Sequence, residues 1–319
     1  MHRRVRPFEA LGLDPLGLRL REALLAVRGD STVPPTKFGV SSLGIFHPAL
    51  SVSTWLGRKR ADRRIPISNL FNHTPTPSEA GWSVRKTQVR DFRGGTLSYD
   101  SHNGTDFAIP VGTVVTAAAP GRVGRISSEY NRGGLKIFID HGQGLVTTSN
   151  HLARSLVNVG DRVARAQPIA LSGYSGLDAL VAFPWSVPHV HFNVWLNGVY
   201  VDPFARLEAA ASGEREVSLW RDPNDPRPSA EEAATDGDMT AWDEARVEAA
   251  LAACRDDAFR ASLSSAPSVA ERAMNALFAR CYYPTRFTSF PPLYAELFPR
   301  TPRLTLPFRA EDFDGVMFT

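Results

Sequence analysis

Between Trp82 and Pro203 the chain is a succession of short β-prone runs punctuated by Gly, Asn, Asp and Pro, and this rhythm limits the fold more than any other feature. The best strand candidates are Val111 to Thr116, Gly121 to Ile126, Leu135 to Asp140, Leu145 to Thr148, Val163 to Ser172 and Val190 to Trp195. No long helical pattern interrupts them, so antiparallel sheet is the expected arrangement. Asn197-Gly198 reads as a hairpin turn, with Val199 to Pro203 as a closing strand.

Histidines are spaced through this β-rich stretch in a way that carries chemistry. In Pro188-His189-Val190-His191-Phe192 an extended backbone puts His189 and His191 on one face and Val190 and Phe192 on the other. Two imidazoles on one strand face can reach a metal or a water beside it, although an exposed polar strand face has the same pattern. Further upstream, His102-Asn103-Gly104-Thr105-Asp106 combines a turn signal with a histidine and a carboxylate, two ligand types that suit zinc or a similar divalent metal. Read alone, these are equally ordinary turn residues. Between the two motifs, Asn150-His151-Leu152 brings another histidine to the end of an apolar run.

Taken in order, His-Asn-Gly-Thr-Asp at 102–106, Asn-His-Leu at 150–152 and His-Val-His-Phe at 189–192 resemble the lysostaphin-type zinc metallopeptidases that cut peptidoglycan peptides. Pro110 to Val115, Ala118 to Val123, Ile139 to Gly142, Val159 to Val163 and Gln167 to Ala170 fall in the family's order between the motifs. The resemblance implies a compact β-fold with zinc held by His102, Asp106 and His191. It implies that His151 and His189 assist proton transfer and steady the charged intermediate, and that peptidoglycan peptides are the substrate. Three protein ligands leave a position open for water, as catalytic zinc sites do. Two stretches differ from the family pattern. Asn150 stands where an aromatic residue is usual, and the approach to the paired histidines, Gly173 to Pro188, is long and carries Phe183 and Trp185. Asn150, Phe183 and Trp185 are therefore the candidate substrate contacts, with packing of the two aromatics against C-terminal helices as the other reading.

The ends differ in character. The expected division is an irregular N-terminal extension at 1–85, a mostly β peptidase-like domain of antiparallel sheets at 86–212, and a linker with a smaller helical region at 213–319. Leu11 to Val27 contains a short helix by its pattern. The basic cluster at Trp55 to Arg64 reads as a solvated loop ahead of a polyanion site, and His73 as a surface or capping residue ahead of one lining the cleft. Thr240 with Asp243, and Ser268 with Glu271, read as capping boxes. Two apolar stripes follow them, Val247, Ala250, Leu251 and Cys254 on one helix, and Ala273, Met274, Leu277, Phe278 and Cys281 on the next.

Composition excludes more than it assigns. With 43% hydrophobic and 22% charged residues and a formal net charge of +3, the chain is globular and mildly basic, without a nucleic-acid motif or a run long enough to span a membrane. Charged residues interrupt the first segment after Met1-His2-Arg3-Arg4, so it does not read as a secretory signal, whereas the resemblance points to the cell envelope, periplasm or outside. Cys254 and Cys281 suit either a pair or buried thiols. His141, His47 and His2 are assigned structural roles. A non-cutting peptidoglycan- or peptide-binding protein of the same fold is the second functional reading, opposed by the presence of all five site residues. Val159 to Ala170 also resembles biotinyl and lipoyl carrier domains, but Leu171 to Gly176 lacks the lysine those carriers need.

Overall fold

The computed structural model describes residues 4–74, 81–131, 133–205, 216–230 and 242–319. In chain order the N-terminal part holds α1 (Pro7–Leu11), α2 (Leu16–Arg28), a 3-10 turn (Val40–Ile45), α3 (Pro48–Trp55) and β1 (Arg64–Asn69). The β-rich stretch holds β2 (Thr105–Ala108), β3 (Val114–Thr116), β4 (Gly121–Glu129), β5 (Gly134–Asp140), β6 (Leu145–Ser155), β7 (Arg162–Val163), β8 (Pro168–Ser172), α4 (Asp178–Val181), β9 (His189–Leu196) and β10 (Val199–Tyr200). The C-terminal part holds α5 (Glu244–Ala252), α6 (Asp257–Ser264), α7 (Val269–Tyr282) and β11 (Gly315–Phe318).

The strands join in the order β11-β1-β2-β9-β6-β5-β4-β7, with β10 on β9 and β8 bridging β3 and β6. Every pairing is antiparallel except that of β1 with β11. The expected antiparallel architecture is therefore present, and it is wider than the β-prone runs alone suggested. The β1 strand, which begins inside the basic cluster, adds to the β2 edge, and the last residues of the chain add to β1 in turn. Arg64 is accordingly a strand residue paired with Asp225 at 3.0 Å, while Arg60 and Arg63 bind Asp62 and Asp314. Ion pairing accounts for these arginines.

Alternation along β9 explains how one strand serves two purposes. Val190, Phe192 and Val194 enter a large apolar core with Ile65, Ile67, Phe107, Trp220 and Phe308. On the other face, Trp195 joins Phe138 and Val146 under the helices α5 and α7. The helix stripes read from the sequence are the buried faces here, through Val247, Ala250 and Leu251 on α5 and Ala273, Met274, Leu277 and Phe278 on α7. Gly124 lets α7 approach β4, since a Cβ there would lie 2.5 Å from Met274 Cγ. Beside it, the Arg125 guanidinium stacks 4.0 Å from the Phe278 ring centroid.

The caps follow from the same residue chemistry. Ser268 accepts from Glu271 N at 3.2 Å as the N-cap of α7. Asp243 is itself the N-cap of α5, accepting from Arg246 N at 3.1 Å, and Thr240 lies outside the described residues. Cys254 and Cys281 form no disulfide, and the Cys281 sulfur accepts from Trp195 Nε1.

His141 is structural, as its sequence position suggested. It is buried, with Nδ1 at 2.9 Å from Pro120 O and Nε2 at 2.8 Å from Thr147 Oγ1. Burial, aided by the charges of Arg303 and Arg165, pushes this imidazole down from its ordinary 6.5 to about 3. The unfolded chain then takes up the proton first as the pH falls. Stability from a neutral His141 is complete above about pH 6.5 and declines toward pH 3, by at most about 1.4 kcal/mol per pH unit. His141→Gln is expected to be less stable at pH 7 but to show a shallower loss between pH 6.5 and pH 4, as measured by denaturant unfolding across that range.

Candidate metal centre and its cavity

Strand register brings the first two motifs together. In the β2–β9 ladder Asp106 lies directly opposite His191 and Ala108 opposite His189, while Asn69 on β1 lies opposite Asp106 from the other side. Residues facing one another across an antiparallel pair share a face. Asn69, Asp106 and His191 therefore form a row across three strands, and His102 joins it from the bend just before β2. Gly104 permits this closeness: a Cβ there would lie 2.6 Å from Phe192 O and 2.8 Å from His191 Nε2.

Within the cluster, His191 Nδ1 is 2.7 Å from Asp106 Oδ1, and His102 Nε2 is 3.1 Å from both Asp106 Oδ1 and His191 Nδ1. All three residues are buried. His102 Nδ1 sits 2.6 Å from the Leu70 carbonyl, which can only accept, so Nδ1 carries the proton and Nε2 is bare toward the cluster. His191 Nε2 has two neighbours, Asn193 Nδ2 at 2.8 Å and Asn103 Oδ1 at 3.2 Å. The first suits a bare Nε2 and the second a protonated one, so the ring can present a bare Nδ1 to Asp106. Asn69 donates to Asp106 Oδ2 at 2.9 Å and fixes the carboxylate.

Electrostatics follow from this crowding. Burial opposes ionisation of Asp106, but His102 and His189 when they carry positive charge, and His102 and His191 when they are protonated toward the carboxylate, outweigh it and hold the carboxyl well below its usual range. Burial pushes His191 down, against the opposing pull of a hydrogen bond that its protonated ring donates to Asp106. Two imidazole nitrogens and a carboxylate oxygen converging within about the span of one metal's ligands are the donor set of a divalent zinc-like ion. Carbonyl and amide partners behind them supply the orientation such ligands need.

A second group adjoins the first. His151 is buried in β6 with φ 59°, a left-handed conformation costing a non-glycine residue roughly 1–2 kcal/mol. It lies where the β6 pairings shift register, and the bulge turns its ring out of strand alternation toward His189, at 4.6 Å between centroids. His151 Nδ1 meets Ser175 O at 2.8 Å and His189 Nδ1 meets Val187 O at 2.7 Å. Both neutral rings are thus left with bare Nε2 atoms. His189 Nε2 is 3.6 Å from Asp106 Oδ1. Burial first, then the charges of His189 and His191, depress His151 well below its ordinary value.

Asp178 completes this second group, with one ligand atom from each of His151, Asp178 and His189 lying within 4.8 Å of the others. Burial and the nearby Asp106 raise its carboxyl above the usual range. Sequence reasoning did not single out Asp178, whose only signal was an acid in the otherwise apolar Leu177 to Trp185 loop. It also passed over Asn193, which strand alternation places on the face of His189 and His191.

Both groups open into a cavity of about 550 Å³, in the range of small-ligand pockets. Asn150 lines it, donates to Asn193 Oδ1 at 2.9 Å, and keeps a buried Oδ1 without a partner. Phe183 and Trp185 are 50% and 59% exposed and are not among its lining residues. Phe183 instead stands edge-on to Trp55 of α3, so neither the groove wall nor the C-terminal helices hold it. The loop lines the cavity through Val181, Ala182, Ser186 and Val187. The opposite wall comes from the N-terminal part, through Phe38, Leu43, Phe46 and Trp82, where the sequence showed no sharp chemistry. His73 is half-buried beside Asp202, with Nε2 2.7 Å from Oδ2, and supplies the partner that this buried carboxylate calls for.

Residues 100–203 match peptidase family M23. An uncharacterized metalloprotease of Haemophilus influenzae is 34% identical over 113 residues, 35% of this chain and 22% of that protein. Peptidoglycan DD-endopeptidase ShyA of Vibrio cholerae is 36% identical over 163 residues, covering 50% of this chain and 36% of its own. Murein hydrolase activator EnvC of Escherichia coli is 36% identical over 126 residues, 39% of this chain and 28% of its own. The chain thus spans about a quarter to a third of the length of these relatives.

His102→Ala, Asp106→Ala and His191→Ala are each expected to lose most bound metal, since two remaining ligands hold a divalent ion poorly. Metal content after dialysis is the measurement, and full occupancy in all three variants would place the metal elsewhere.

Proposed function

We propose, from the premise that residues 100–203 form a peptidase family M23 domain of the lysostaphin type, that this chain is a zinc-dependent endopeptidase hydrolysing peptide bonds in peptidoglycan stem or bridge peptides. The observation that carries the reading is the pairing of two groups in one cavity. His102, Asp106 and His191 supply a metal's donor set, and beside it two imidazoles keep bare nitrogens. A bound metal supplies Lewis acidity that polarises the scissile carbonyl and acidifies water. The chain's own residues do the rest. His151 and His189, at their Nε2 atoms, take a proton from the attacking water and deliver it to the leaving nitrogen. Ser175 O and Val187 O hold the two rings in the tautomer this requires.

For the substrate, the support is the named activity of relatives such as ShyA, and a cavity large enough for a short peptide stretch. Asn150, on the cavity lining, is the polar residue read as facing a substrate there. Phe183 and Trp185, exposed on the loop that lines the cavity, are read as contacts for parts of a polymer that extend past it. The flanks, 1–85 and 213–319, are read as extensions built onto the peptidase body at 86–212. A cell-envelope or secreted location follows from the substrate. No helix among the described residues is long and apolar enough to cross a membrane.

A relative that is an activator rather than a hydrolase favours a second reading, a peptidoglycan-binding protein that does not cut. Mass spectrometry of peptidoglycan treated with the zinc-loaded chain separates the two. New amine termini support the endopeptidase, and intact peptidoglycan with a full metal complement supports the binding protein.

His151→Ala is expected to keep its metal and a cooperative fold while turnover falls roughly a hundredfold to ten-thousandfold, with substrate affinity little changed. Wild-type turnover in that variant, with metal bound, would leave His189 as the only base.

A further inference from the structure

We infer that Asp178, His151 and His189 together form an acceptor set for a primary ammonium, the amine end released when a peptide bond is cut. This rests on the endopeptidase reading and adds to it a product-binding residue, Asp178, outside the motifs that define the metal group.

The first support is an imbalance of donors and acceptors. His151 and His189 commit their Nδ1 protons to Ser175 O and Val187 O, so both Nε2 atoms are acceptors. Among the described residues no hydrogen bond or ion pair reaches the Asp178 carboxylate. Three acceptors therefore share one region of the cavity, and Asp106 Oδ1 lies 3.6 Å from one of them. An ammonium carries three donors and a positive charge.

Spacing then selects among cations. Ligands around zinc at about 2.1 Å are about 3.4 Å apart, and the His102, Asp106 and His191 atoms already lie at 2.7 to 3.1 Å. Acceptors around a tetrahedral ammonium at about 2.9 Å are about 4.7 Å apart. The Asp178 carboxylate lies within 4.8 Å of a nitrogen of both His151 and His189 yet forms no ion pair with either, so it stands further from its neighbours than Asp106 does from His102 and His191. That wider gap suits an ammonium better than a second zinc-like ion.

The chemistry of hydrolysis supplies that cation. Water's oxygen bonds to the carbonyl carbon, the C–N bond breaks, and the nitrogen leaves as an amine after taking a proton. With one further proton, lost by the acid product, the products are a carboxylate and an ammonium. His151 and His189 are the groups assigned to bring the proton to that nitrogen, and Asp178 faces the charge once it has formed.

The test uses the zinc-loaded full chain and two probes, alaninamide, which carries the ammonium, and N-acetylalaninamide, which does not. Binding is read by NMR titration, and metal per chain by elemental analysis. Expected is binding of alaninamide but not of the acetylated probe, an affinity at least about tenfold weaker in Asp178→Asn, and one metal per chain in both proteins. Asp178→Glu, which keeps the charge, should bind more tightly than Asp178→Asn. Equal affinity for the two probes, an unchanged affinity in Asp178→Asn, or a second metal lost with Asp178 would overturn the inference. Because binding is read without turnover, a chain that holds the amine but cuts no peptidoglycan removes the endopeptidase reading alone. A chain that cuts peptidoglycan without Asp178-dependent amine binding removes this inference alone.

Discussion

The site depends on an excess of lone pairs in a buried space. Asp106 Oδ1 and His102 Nε2 converge with His191 Nδ1 within 3.1 Å, and the bare nitrogens of His151 and His189 lie alongside. Acceptors packed this closely repel unless a cation or a proton lies between them, and low local polarity magnifies the repulsion. The surrounding protein enforces the arrangement rather than relieving it. Carbonyls of Leu70, Ser175 and Val187 each draw a Nδ1 proton outward and leave the inward nitrogen bare. Metal affinity and fold are therefore coupled: packing that stabilises the sheet maintains a cluster that only a positive charge satisfies.

Different devices set the two halves of that cluster. Asp106 and His191 need no special backbone, because regular antiparallel register places them opposite one another and Asn69 continues the row. His151 is held by an irregularity instead. Its positive φ and the shift of register in β6 cost stability, and they re-aim a ring that plain alternation would leave in line with its strand. The regular half suits ligands that must hold one geometry. The strained half carries the residue assigned to move protons.

This contrast also explains what could be read from the sequence. Alternation in His189-Val190-His191-Phe192 is a local property, and the structure keeps it, with the histidines on the cavity side and the apolar pair in the core. The helix stripes are equally local, and Val247, Ala250 and Leu251 on α5 and Ala273, Met274, Leu277 and Phe278 on α7 are buried as expected, whereas Cys254 lies past the end of α5 and Cys281 is half-buried. By contrast, β1 reads as a basic loop, because Arg63 and Arg64 find their acidic partners at Asp314 and Asp225, far along the chain. The same holds for His73 with Asp202. Long-range pairing leaves no periodic trace. Phe183 illustrates a further gap, since its apolar character indicated a contact but could not say that Trp55 would provide it.

Selectivity should then be sought largely outside the segment that matches a family. The polar end of the cavity comes from residues within 100–203, including Asp106, His151, His189 and His191. Its apolar wall comes from Phe38, Leu43, Phe46 and Trp82, all before that segment. On the endopeptidase reading, a metal and two imidazoles would act on any peptide carbonyl that reaches them, defining the reaction but discriminating weakly between peptides. Discrimination requires surfaces that meet the groups on either side of the bond, and in this chain the N-terminal part supplies much of that surface. Exchanging that wall between related proteins would therefore be expected to change which peptides are accepted while leaving the metal group and its chemistry in place.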